Sequence, residues 1–398
     1  MKRLAILLVP LLVMVLIAGT VACGGDEATP KPTAAPTAAP TAAPTAAPTS
    51  APTATPSKTA TPTATPKKTA TPVPTATPSG LAPIEEQTWK FTHAYPPIGI
   101  RGEMAQMFAD LVTERSDGKI KVDMYHSATL FSAARDMEAI STGAADVSAT
   151  PPYFLMKLVP FFALLYAEGF WEGYEHGLAV VKNDLWKSKT AEYLATANVK
   201  HLATITDSMT TIYVSNKKEL KTPEDLRGFK YGIYVGGGTT AFTEYIGFNI
   251  VFIPQAEMIT GFQQGITDAY TTSLSNLNAY KVWEWADYGL AFPGGRNMTT
   301  EFLMNPDTFD DLPTWFQEVI TIEIMPAVRA FAEVEMVNEE AGFIDKFNAN
   351  GMVINLVTAE DAAAAWLVMK DMDTTKALLE RAGADIVAMI NSLRPSNQ

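Results

Sequence analysis

Tyr95, Tyr153, Tyr231, Tyr234 and Tyr270 fall at or next to the ends of stretches with strand character. A phenol offers an apolar face and one hydroxyl, a combination that holds a neutral, aromatic or amphipathic solute without transforming it. An alternating strand sends every second side chain inward, so some of these rings are expected to pack in a core instead. Arg101, Arg135 and Arg296 are the cations that could add a carboxylate contact through the paired N–H groups of a guanidinium, and surface or structural roles stand beside that one. Covalent chemistry finds less support. No Gly-x-Ser-x-Gly elbow occurs, Cys23 is the only cysteine, and His93, His126, His176 and His201 lack metal-ligand spacing. His93 and His126 lie at strand ends and are kept as minor contact candidates. Gly236-Gly237-Gly238 lacks the Lys-Ser/Thr of a phosphate loop and reads as a tight turn. Asn305 to Asp311 lacks the Gly and terminal Glu of a calcium loop and reads as a helix cap. Neither a metal nor a cofactor is expected.

The elements that would position these residues form two similar series. From Leu220 to Thr272 the chain reads as a capped turn (Thr222-Pro223-Glu224-Asp225-Leu226, stopped by Gly228), a strand from Phe229 to Val235 and a helix from Thr239 to Gly247. A buried strand from Asn249 to Ile253, a helix from Gln255 to Gln264 and a strand from Ile266 to Thr272 follow. Earlier come a strand from Thr88 to Ala94, a helix from Gly99 to Ser116, a strand from Lys119 to Tyr125, a helix from Phe131 to Thr142 and a strand from Ala145 to Thr150. Two closing phrases match, ISTGAADVSAT from Ile140 and FQQGITDAYTT from Phe262. In each, a helix stops on Gly (Gly143, Gly265) and Asp follows three residues later (Asp146, Asp268). Two βαβαβ units predict two α/β lobes, with ligands at the carboxyl ends of their strands.

The ends of the chain differ from this region. Lys2 and Arg3 precede an apolar run from Leu4 to Ala18, the layout of a signal peptide, so export is expected. Thr20-Val21-Ala22-Cys23 resembles a bacterial lipoprotein processing site, with an uncleaved signal anchor as the alternative. Residues 24–80 are mostly Pro, Thr, Ala and Ser, with PTAA repeated from Pro32 to Ala47, and read as an extended stalk or a tail without a length requirement. Every Trp, Tyr and Phe lies beyond residue 80. The formal net charge is −13, and the excess acid is concentrated in that aromatic-rich part, which argues against nucleic acid and anionic lipid as partners.

Several phrases in consistent order carry a family resemblance. Arg115 to Val122 (RSDGKIKV), Ala134 to Asp146, KTPEDLRG around Leu220 to Gly228, Gln263 to Asp268, and Phe302 to Pro313 (FLMNPDTFDDLP) resemble the solute-binding proteins of TRAP transporters, the DctP-type family. The resemblance covers nearly all of residues 83–395. It implies an α/β, two-lobed periplasmic-binding-protein-like fold with a central cleft and a long helix, from Trp315 to about Asn348, spanning both lobes. It also implies a small organic solute enclosed by hinge closure and delivered to a TRAP-type membrane permease. By the same resemblance, 83–208 with 299–340 form one lobe and 209–298 with 341–398 the other, within a solute-binding region of 81–398.

The family's carboxylate-binding arginine corresponds here to Gly232, and a second commonly basic contact falls on Thr211. The family's Asp-Gly-x-Glu-Asn phrase becomes Asp268-Ala269-Tyr270-Thr271-Thr272, which adds Thr272 to the candidate contacts. Loss of the guanidinium fork predicts weak binding of ordinary dicarboxylates unless another cation has moved in, and a glycine at 232 is expected to leave room for an aromatic ligand. The expected protein is an exported, lipid-anchored receptor and not an enzyme. An ABC-type or sensor-linked binding protein, an exported hydrolase and a surface adhesion domain are the alternatives.

Overall fold

The structure, a computed structural model, describes residues 82–233, 241–254 and 257–395. All of them belong to one compact unit, Pro72–Gln398. The signal segment with Cys23, the stalk, Tyr234 and Gly236 to Gly238 lie outside the described residues.

The strands are β1 (Gln87–His93), β2 (Ile120–Tyr125), β3 (Val147–Thr150), β4 (Lys200–Ser208), β5 (Thr211–Ser215), β6 (Lys230–Ile233), β7 (Asn249–Phe252), β8 (Tyr270–Ser273), β9 (Tyr288–Phe292), β10 (Met298–Met304) and β11 (Val353–Leu356). They build a sheet of order β2-β1-β3-β10-β4, a second of order β11-β9-β5-β8 and the pair β6-β7. β1 runs parallel to β2 and β3 because helices Ile100–Arg115 and Ala133–Ser141 make the crossovers. β10 is antiparallel to both of its neighbours. A single bridge, Tyr231 to Ala269, ties β6 to the chain entering β8.

Each sheet has its own apolar core. In the first, Phe91 of β1 meets Phe108 of the following helix edge-on at 5.7 Å and Phe302 of β10 at 6.1 Å. All three are fully buried, which contributes roughly 1.5–3 kcal/mol apiece. The second sheet is covered on its two sides by separate clusters, one around Tyr213, Phe242 and Phe292, the other around Ile212, Phe262 and Phe347.

The matched Gly-x-x-Asp phrases have matched physical roles. Gly143 and Gly265 take φ of 71° and 72°, the left-handed conformation that ends a helix with little strain only at glycine. Asp146 then accepts the backbone N–H of Lys90 at 2.8 Å, and Asp268 accepts that of Lys230 at 2.9 Å, so each carboxylate is tied to a neighbouring strand, at the middle of β1 and at the start of β6. Thr222 caps its turn as expected, in a capping box with Asp225, whose carboxylate accepts Thr222 N–H at 3.0 Å, and Asn305 caps the next helix by accepting Thr308 N–H at 3.0 Å. One expectation fails: β7 is not buried. It lies at the edge of a two-stranded pair, and Phe252 is 72% exposed.

Among the described residues, three segments link the strands of one sheet to those of the other. Met209 and Thr210 join β4 to β5, residues 293–297 join β9 to β10, and a continuous helix runs from Thr314 to Ala349. The helix widens into a π-turn at Val319–Ile324, just before Pro326, which has no N–H for the carbonyl four residues back. Its Val328, Ala332 and Met336 enter the first core, and Phe343 and Phe347 enter the second. Glu340 on this helix pins the first crossing. Its carboxylate accepts Met209 N–H at 2.7 Å, Thr210 N–H at 2.9 Å and the hydroxyls of Ser208 and Thr210 at 2.9 and 3.0 Å.

Candidate functional site

A cavity of about 430 Å³ opens between the elements of the two sheets. Tyr153 and Met156, just past β3, and Ala163 and Tyr166 of the 3₁₀ segment Pro160–Tyr166 form one wall. Tyr231, Gly232 and Ile233 at the carboxyl end of β6, Phe242, Met258 and Thr271 form the opposite one. A third wall is the helix Asp373–Ala382, which packs on the 3₁₀ segment and presents Thr374, Ala377, Leu378 and Arg381. Spacings of three, four and seven residues place these four on one helical face. The Thr374 hydroxyl donates to Glu244, which ties this helix to the helix Ala241–Ile246.

The buried polar group of the cavity is an ion pair. Arg296, in the second crossing, donates to Glu168 from both Nε and Nη2, the Nε contact measuring 2.6 Å. The Tyr213 hydroxyl donates to the same Glu168 oxygen at 2.8 Å and accepts from Arg296 Nη2 at 3.1 Å. The guanidinium lies over the Tyr166 ring, 5.8 Å from its centre. Burial raises the Tyr213 and Tyr231 phenols above their ordinary pKa, so both stay neutral. Glu168 therefore offsets the charge of Arg296 within the protein.

Four of the sequence candidates meet at this cavity: Tyr153, Tyr231, Gly232 and Arg296. The space that glycine was expected to leave at 232 is already filled. A Cβ there would stand 3.1 Å from both Met258 Cε and Thr267 Cγ2, so the thioether takes that volume and becomes part of the wall.

The other candidates lie off the cavity lining, each for a local reason. Arg101 is drawn to Asp207 at 2.5 Å and stacks on Tyr95 at 5.0 Å, while Thr300 donates to the second Asp207 oxygen at 2.6 Å, which closes a network inside the first sheet's edge. Thr211 is fully buried in β5. Tyr270 packs on Trp285 at 5.9 Å, and Thr272 accepts the Asn276 side-chain amide at 3.1 Å. These two share a face of β8, and the residue between them, Thr271, is the one that reaches the cavity. Arg135 is an exposed partner of Glu138. His93 and His126 hydrogen-bond each other at 2.9 Å, and burial, with His126 adding to it, lowers His93 to about 3.

Sequence reasoning passed over Glu168, Met258 and the whole wall from Thr374 to Arg381. Glu168 and Arg296 are too far apart in the chain to give a spacing signal. The helical stripe ending at Arg381 was visible as a period, but nothing local marked which side it would face.

With this geometry, the comparison with known proteins is direct. The model of the family "Bacterial extracellular solute-binding protein, family 7" (DctP) matches residues 91–374, and the chain belongs to that family. The family is one of extracellular solute-binding proteins, and the two-lobed α/β fold is shared with the TRAP periplasmic solute-binding proteins among the solved structures. Among curated relatives, the C4-dicarboxylate-binding protein DctB of Bacillus subtilis (strain 168) is 27% identical over 209 residues, which are 49% of this chain and 58% of that protein. The chain thus spans little more than half of that relative's length, and 39% of that of an uncharacterised Sinorhizobium fredii protein. Two solved structures share the fold. The sugar acid binding protein DctPAm from Advenella mimigardefordensis strain DPN7T, in complex with galactonate, has a TM-score of 0.70 at 16% identity, covering 78% of this chain and 98% of that one. A TRAP periplasmic solute binding protein from Sulfurospirillum deleyianum DSM 6946, with bound succinate, has a TM-score of 0.68 at 20% identity, covering 78% and 100%.

Proposed function

We propose that this protein captures a small organic solute in the cavity between its two sheets by hinge closure and delivers it to a TRAP-type membrane permease. The observation that carries the reading is the cavity itself. Its walls come from both sheets' elements and from a crossing segment, so any ligand that touches all of them favours the closed arrangement by its differential affinity. The moving bodies are 83–208 with 299–340 and 209–298 with 341–372; the helices Asp373–Ala382 and Ala384–Ser392, expected in the second body, bury Ala382, Ile386 and Ile390 in the first core and go with the first. Support for this division is that β1 to β4 and β10 share one sheet, whereas β5, β8, β9 and β11 share the other. Tyr153, Tyr231, Gly232, Thr271 and Arg296 are the proposed ligand contacts. Met156, Ala163, Phe242, Met258 and Leu378 make the cavity largely apolar, and with Gly232 in the place of the family's arginine the ligand is not a simple dicarboxylate such as succinate.

Native mass spectrometry of the purified protein, followed by a thermal-shift screen of organic acids and their neutral analogues, tests the reading. A one-to-one adduct or a stabilising small molecule supports it, and failure of every compound to bind contradicts it. Delivery requires tethering near the permease, for which the proposed device is lipidation at Cys23 with residues 24–80 as the stalk and 1–23 as the signal segment. Release of a Cys23→Ala protein from the membrane supports that tether, and unchanged retention opposes it.

A further inference from the structure

The receptor reading leaves open how a cavity without the usual arginine would hold an anion. We infer that Arg381, on the helix Asp373–Ala382, is the anion anchor of this cavity, and that the solute is a monocarboxylate with an apolar body. This rests on the receptor reading and adds the ligand's charge and its partner.

Two guanidinium groups reach the cavity, and they differ in availability. Arg296 is buried, and Glu168 and Tyr213 already engage its Nε and Nη2. Arg381 is exposed and has no hydrogen bond, ion pair or ring partner among the described residues. One net positive charge therefore faces a largely apolar space, which suits one carboxylate and leaves a second without a partner.

The apolar side chains of Leu378 and Phe242 share the lining with Arg381 and suit the apolar body of such a solute. Arg381 also lies beyond residue 374, where the match to the family model ends, so the anchor sits on a segment outside the matched region.

The probes are phenylacetate, 4-methyl-2-oxopentanoate and pyroglutamate, the uncharged amide of each acid, and succinate. Affinities would be measured by titration calorimetry on wild type, Arg381→Gln and Arg381→Lys. Because Arg381 is exposed and unpaired, both variants should melt as wild type does without ligand. At least one monocarboxylate is expected to bind wild type better than its amide and better than succinate. That binding should weaken about ten- to hundredfold in Arg381→Gln and recover in part in Arg381→Lys. Equal binding of an acid and its amide, or an acid whose affinity is unchanged in Arg381→Gln, overturns the anchor and leaves the receptor reading standing. No binding by any probe overturns both.

Discussion

Replacing Glu168 by Gln should expose the logic of the cavity's buried ion pair. Glu168 is 3% exposed and Arg296 8%, and one carboxylate oxygen takes both guanidinium donors and the Tyr213 hydroxyl. Gln keeps the shape and one acceptor but removes the charge, which leaves the guanidinium buried without compensation. Breaking such a pair from one side costs about 3–5 kcal/mol, and at roughly 2–3 °C per kcal/mol the melting temperature should fall by about 6–15 °C. Two net charges would then face the cavity, Arg296 and Arg381, so succinate should stabilise the variant more than it stabilises wild type. Thermal and urea melts with and without succinate read both effects. The double change Glu168→Gln with Arg296→Met should lose less stability than Glu168→Gln alone, because no orphaned charge remains. A Glu168→Gln protein that melts within about 1 °C of wild type, or one that succinate stabilises no more than wild type, would refute the assignment of Arg296 as internally neutralised.

Three further outcomes follow from the packing. Gly232→Arg presses its Cβ on Met258 and Thr267 and should cost about 1–3 kcal/mol, part of which Met258→Ala recovers; an equal loss in both backgrounds would show that the thioether is not the obstacle. Glu340→Ala removes the carboxylate that accepts both amides of the first crossing, so hydrogen exchange at the Met209 and Thr210 amides should accelerate; unchanged protection would mean that Glu340 does not hold the hinge. Burial pushes Asp136 up to about 7 from 3.8 against the opposing Thr150 hydrogen bond, so the fold favours its neutral form, and the stability it supports is lost as pH rises between those values. His93, lowered to about 3 by burial, works in the other direction, losing stability as pH falls below 6.5. Asp136→Asn should therefore gain relative to wild type, by up to about 4 kcal/mol, on going from about pH 4 to pH 8, and a pH-independent difference in urea melts would contradict this.

What could be read from the sequence was local. The capping box at Thr222 and Asp225, the cap at Asn305 and the paired Gly-x-x-Asp stops depend on residues a few positions apart, and all are present. Strand faces were less legible. The strand expected from Ile266 to Thr272 forms a ladder only over Tyr270–Ser273, with a lone bridge before it at Ala269, and a shift of one position along a strand exchanges its faces. Tyr270 and Thr272, expected in the cleft, share the face opposite to Thr271, which is the residue that reaches it. Charge partners were not legible at all. Arg101 and Asp207 are 106 residues apart and Arg296 and Glu168 128, so only the tertiary fold pairs them, and an arginine that looked free in the sequence has its charge offset by a protein carboxylate. Arg381 escaped notice for the converse reason: only the packing of its helix on Pro160–Tyr166 turns an ordinary amphipathic stripe into a cavity wall.

The central claim is that a small solute occupies this cavity. Ala377 faces it from the helix wall and has room for a larger side chain only at the ligand's expense. Titration calorimetry of the best-stabilising probe into wild-type and Ala377→Trp protein tests the claim most directly. The account predicts one-to-one binding to wild type and none to the variant, with both proteins folded. Equal binding to the two, or binding to neither, would contradict it.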